Sequence, residues 1–158
     1  MKYSIFLFLV IYICNQGFTS ENKSPGDLTK QKPVEKKIYL RGDEGKSHYF
    51  YPNTLEFKTG KLYKLVIINE SNSKHYFTSY QFAKSIFTRK IQVILKGKKV
   101  AEIKGNIDNV EVFPHNQLEW WFVPVKTGEF SDLHCSIIDK ISKKKHFEMG
   151  MVGKILIK

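Results

Sequence analysis

A chain of 158 residues is long enough for one domain with a real core and too short for two comfortable ones. Its formal net charge is +11, and the lysines are spread along the chain instead of alternating with aromatics in one patch. That distribution excludes a nucleic-acid-binding stripe and suits acidic partners or peripheral contact with an anionic membrane.

Residues 1–20 read as a signal peptide: Lys2 precedes the apolar run Ile5–Cys14, and small or polar residues follow. The run is short for a membrane span and has no basic stop, and Ile13 sits where a lipid-anchored Cys14 calls for a small residue. Export to the periplasm is therefore expected, ahead of a retained membrane or lipid anchor. Loss of the leader removes Cys14 and leaves Cys135 without a disulfide partner in an oxidising compartment. Such a thiol is either a small buried apolar side chain or a metal ligand.

Residues 21–37, polar and broken by Pro25-Gly26 and Pro33, form a flexible N-terminal segment. From Ile38 to Lys158 the pattern becomes short strands bounded by turns. Strands are expected at Ile38–Leu40, Tyr49–Tyr51, Leu55–Phe57 and Leu62–Ile68, with turns at Gly42-Asp43 and Thr59-Gly60. Phe82, Ala83, Ile86 and Phe87 fall at helical spacing, which predicts one short helix inserted near 78–90. Further strands follow at Ile91–Leu95, Val100–Ile103, Val110–Phe113, Leu118–Val123, Phe130–Cys135 and Lys154–Lys158. The fold class is all-β, an antiparallel Greek-key sandwich. Trp120 and Trp121 resemble a substrate platform, but strand alternation places one of them in the core.

The chemistry lies near the C-terminus, where Cys135, His146 and Met151 precede the last strand and His75 ends an earlier one. Thiolate, two imidazoles and a thioether are the donor set of a copper electron-transfer site. His134 neighbours Cys135 and should point to the opposite face of its strand. His48 and His115 read as a strand flank and a loop residue without chemical roles.

The order His75-Tyr-Phe77, Lys126-Thr127-Gly128, Cys135, His146 and Gly150-Met151-x-Gly153-x-Ile155 resembles the cupredoxin family of small blue copper proteins. In particular it is similar to the exported plastocyanin- and azurin-like bacterial members, over about Leu55 to Lys158. The resemblance implies one copper ion, Cu(I)/Cu(II), with His75 and His146 as imidazole ligands, Cys135 as thiolate and Met151 as axial thioether. Met149 and Glu148 compete with Met151 for the axial place. The chain departs from the family in the ten residues between Cys135 and His146, where a few are usual. The lysine-rich insert Ile137–Lys145 is expected to be an exposed loop or part of a docking surface.

A one-electron carrier with an acidic redox partner is the function implied. The alternatives are a copper-sequestering protein and a metal-free sandwich module in which Cys135 and Met151 are only core. No enzymatic activity is expected, because there are no His-x-His pairs, no second cysteine for a binuclear centre and no oxyanion motif beside Cys135.

Overall fold

The computed structural model describes residues 30–158, so the expected signal peptide lies outside the described residues. Eleven strands are present: β1 (Val34–Asp43), β2 (Ser47–Tyr51), β3 (Thr54–Phe57), β4 (Tyr63–Asn69), β5 (His75–Thr78), β6 (Ile86–Leu95), β7 (Lys98–Ile103), β8 (Asn109–Val112), β9 (Gln117–Pro124), β10 (Gly128–His134) and β11 (Val152–Ile157). They form a six-stranded sheet in the order β2-β1-β4-β9-β6-β7 and a five-stranded sheet in the order β3-β11-β10-β5-β8. The expected sandwich is present. Among the described residues, no helix is long and apolar enough to cross a membrane.

Alternation explains how the sheets meet. Along β9, Leu118, Trp120 and Phe122 are buried while Gln117, Glu119 and Trp121 are half-buried on the outer face. Trp120 joins Phe77, Phe82 and Phe122 in edge-to-face contacts with centroids 5.2–6.2 Å apart, an arrangement that the aromatic quadrupole favours. The core is therefore aromatic at its centre.

Three details differ from the sequence reading. β1 begins at Val34, so Val34–Lys37, placed above in the flexible segment, pair with β4. The β1–β4 and β3–β11 ladders are parallel, whereas period-two patterning reveals strands and not their partners. Only Pro52-Asn53 separates β2, at the edge of one sheet, from β3, at the edge of the other, so the chain crosses between layers there.

The helix differs as well. It is one turn, α1 (Tyr80–Ala83), and Ile86–Leu95 are strand. Asp132 of β10 takes the Gln81 backbone N–H at 2.9 Å and the Ser79 hydroxyl, satisfying the start of the turn from a neighbouring strand. Phe82 is completely buried by it, while Phe87 stays exposed on β6. The helical spacing of Phe82, Ile86 and Phe87 arises from a turn followed by β6.

β6 and β7 form an antiparallel hairpin, and β7 ends its sheet with all six residues exposed.

Candidate metal centre

The end of the five-stranded sheet collects the chemistry. His75 opens β5, Cys135 follows β10, His146 opens a 3₁₀ turn over His146–Met149, and Met151 precedes β11. The backbone closes these positions on one another. Phe147 N–H donates to the Cys135 carbonyl at 2.9 Å, Met151 N–H to the His146 carbonyl at 2.9 Å, and Cys135 N–H to the Met151 carbonyl at 3.2 Å. Gly150 ends the turn with φ of 106°, a left-handed conformation that glycine adopts without a Cβ clash.

The side chains converge. The Nδ1 atoms of His75 and His146 lie 3.0 Å apart, and Cys135 Sγ lies 3.8 Å from the first and 3.5 Å from the second. All three residues are buried. Metal–nitrogen and metal–sulfur bonds near 2.0 and 2.3 Å set the sides of a trigonal site at about 3.5 Å between nitrogens and about 3.7 Å from nitrogen to sulfur. The observed triangle fits within about half an ångström, and its mixed soft and borderline donors suit copper.

His75 is held in one tautomer. The Ser71 hydroxyl proton has oxygen acceptors in Asn69 Oδ1 at 2.8 Å and the Ser73 carbonyl at 2.9 Å, which leaves a lone pair of its oxygen for the His75 Nε2–H at 2.8 Å. The Nδ1 lone pair then faces the other donors. Asn69 anchors this arrangement, donating to the carbonyls of Ser73 and Val112 at 2.7 and 2.8 Å.

Electrostatics keeps the imidazoles neutral. Burial, then the neighbouring His146 and His48 rings, push His75 down to about 3. Burial and His48 push His146 down to about 4 against the opposing pull of Asp139 and Glu44. Burial pushes the Cys135 thiol up, opposed by backbone N–H groups of Ile137 and Tyr76. The Tyr76 N–H reaches Sγ at 3.2 Å. Two neutral imidazoles and a sulfur that already accepts N–H groups form a basin for a cation, whose charge favours the thiolate.

Met151 is fully buried beside these residues. Met149 is half-buried, and its sulfur accepts the Ser142 hydroxyl at 3.1 Å. Glu148 is exposed, and its carboxylate takes the Lys145 backbone N–H at 2.7 Å. His134 turns away from Cys135 towards Phe147, and His115 sits exposed against Asn72.

His48 requires a correction. It is completely buried, stacked on His146 with centroids 3.7 Å apart, and its donor atom lies within 4.8 Å of those of His75 and His146. The sequence reading gave it no role because it stands at the flank of an aromatic strand, and that strand, β2, belongs to the sheet opposite His75. The available signal was alternation: His48 shares a face with Phe50, while Ser47, Tyr49 and Tyr51 point out.

The insert is also more ordered than an exposed loop. Ile138 pairs with Lys145, and Asp139 N–H donates to the Lys144 carbonyl at 2.8 Å. The buried Asp139 carboxylate accepts N–H groups from Gly45, Ile141 and Ser142. The lysines of the insert stay outside, and a cavity of about 300 Å³ beside it is lined by Glu44, Phe113, Pro114, Ile137, Ile138 and His146.

Neither a protein-family model nor a curated relative matches the sequence. Among solved structures, the chain is similar to a multicopper oxidase from Campylobacter jejuni (TM-score 0.53, 22% identity, 81% of this chain and 31% of that one). It is also similar to a copper-containing nitrite reductase from Thermus scotoductus (TM-score 0.55, 12% identity, 80% and 31%). A blue copper oxidase from Nitrosomonas europaea gives TM-score 0.50 and 16% identity over 85% of this chain and 47% of that one.

The chain thus spans less than half the length of each of these structures. All three are enzymes by name, which overturns the expectation of no enzymatic activity: absent His-x-His pairs do not set this sandwich apart from folds that serve in oxidases and a reductase. Nor do these neighbours single out the plastocyanin- and azurin-like proteins. What the likeness establishes is a cupredoxin-like sandwich.

Proposed function

We propose that the chain binds one copper ion, which His75, Cys135 and His146 would hold with the buried Met151 as a fourth donor, and transfers single electrons. The observation that carries this reading is the buried triangle of two Nδ1 atoms and one Sγ with sides of 3.0, 3.5 and 3.8 Å. Copper bound there supplies one-electron chemistry between Cu(I) and Cu(II).

The chain's own residues supply the rest. Ser71 and Asn69 hold the His75 ring, and burial keeps both imidazoles unprotonated. His146 lines the cavity and gives the site its route to the surface. Exposed Phe113 and Ile138 flank that route, and the exposed Lys143, Lys144 and Lys145 nearby favour an acidic partner. The apolar leader and the unpaired Cys135 support work in the periplasm.

The test is the visible spectrum of the protein with one equivalent of Cu(II), beside Cys135→Ser, followed by voltammetry. An intense thiolate-to-copper band that disappears in the variant, with a reversible one-electron wave, is expected. Tight binding with neither band nor reversible wave would identify sequestration instead. No binding would leave a plain sandwich module.

A further inference from the structure

We propose that His48 is a positioning residue for His146, anchored by Asp139, so that the insert between Cys135 and His146 shapes the centre it interrupts in sequence. The inference rests on the copper reading for its consequence, though its geometry stands without the ion. Three imidazoles cluster here, and the question is what the third one does.

The stack answers it. The rings of His48 and His146 lie 3.7 Å apart at 21°. A ring nitrogen donates in its own plane, so an ion in the plane of His146 lies outside the plane of His48. Both imidazoles cannot face one ion in this arrangement, and His48 serves as a flat wall against the ligand ring.

The wall is itself fixed. His48 Nε2–H donates to Asp139 Oδ2 at 3.1 Å, and both side chains are fully buried. The same oxygen takes the Gly45 N–H at 2.9 Å, while Oδ1 takes those of Ile141 and Ser142 at 3.0 and 2.6 Å. One carboxylate therefore ties the insert, the β1–β2 turn and the stacking ring together. The His48 Nδ1 is buried and has no hydrogen-bond partner among the described residues. It faces Gly42, where an added Cβ would lie 2.7 Å away and where φ is +141°. The pocket for this ring thus depends on glycine across the ladder, at the register partner of His48.

An insert of ten residues gives His146 more ways to miss the other donors than a short loop does. The stack removes that freedom, as outer partners of metal ligands do generally. The lysines of the insert can then face solvent without loosening the site.

The experiment compares wild type, His48→Ala and His48→Phe, first as apoproteins by NMR of the His146 ring and then by copper competition titration. In His48→Ala the His146 ring resonances should shift and broaden, and copper affinity should fall about 10–100-fold. His48→Phe keeps a flat ring and should restore sharp His146 resonances and most of the affinity. Unchanged His146 resonances in His48→Ala would overturn the proposal. Sharp resonances but an equal loss of affinity in both variants would also overturn it, because His48 would then be a ligand. Failure of the wild type to bind copper would reject the proposed function alone, and the apoprotein spectra would still decide the positioning role.

Discussion

At the residue scale, the centre depends on hydrogen bonds that do not touch the donor triangle. Ser71 accepts from His75 Nε2–H, and its own hydroxyl points a hydrogen bond at Asn69 Oδ1 or the Ser73 carbonyl. Ser71→Ala should leave the fold intact and lower copper affinity about 10–100-fold, measured by competition with a chromophoric chelator. The candidate donors were singled out in the sequence by residue type and order, and the structure brings His75, Cys135 and His146 to one place. Their supports were not legible, since a serine or asparagine carries no signal until the chain brings it beside a ring. His48 falls between these cases. Its alternation with Phe50 marked it as inward-facing, but nothing local showed that a strand of the other sheet would set it against His146.

At the scale of elements, α1 and the insert show how neighbouring strands override local pattern. Alternation and turn residues located most strands, yet the spacing around Phe82 suggested a helix several times longer than the one present. Asp132 supports one turn, and β6 claims the rest through its ladder with β9. Phe82→Ala should cost about 3–5 kcal/mol in denaturant unfolding, because the one turn of α1 delivers a wholly buried ring to the aromatic core. Asp139 gives the insert a pH signature. Burial pushes its carboxyl up, but the Ser142 N–H, the His48 ring and the Gly45 N–H outweigh burial and hold it well below the usual carboxylate range. Its stabilising contribution is therefore complete above about pH 4 and is lost as pH falls below that value. Thermal melts of the apoprotein should decline more steeply below about pH 4 in wild type than in Asp139→Asn.

At the scale of the whole molecule, charge governs encounter more than fold. With a formal net charge of +11, the proposed electron exchange with an acidic partner should slow as ionic strength rises from about 0.01 to 1 M, where the Debye length shrinks from about 30 to 3 Å. Stopped-flow rates across that range check it, and a salt-independent rate would remove the electrostatic argument for such a partner.

The β6–β7 hairpin gives these lysines another task. β7 closes its sheet with every residue exposed, Val100 and Ile103 among them. Its free backbone groups are a template onto which a second chain could add a strand. Lys98 and Lys99 within the strand and Lys104 just beyond it, against Glu102 alone, give that edge a net positive charge where two copies would meet. The molecule's lysine excess therefore also acts as a gatekeeper against strand-to-strand aggregation, protecting solubility at the rim farthest in the ladder order from β2 and its buried histidine.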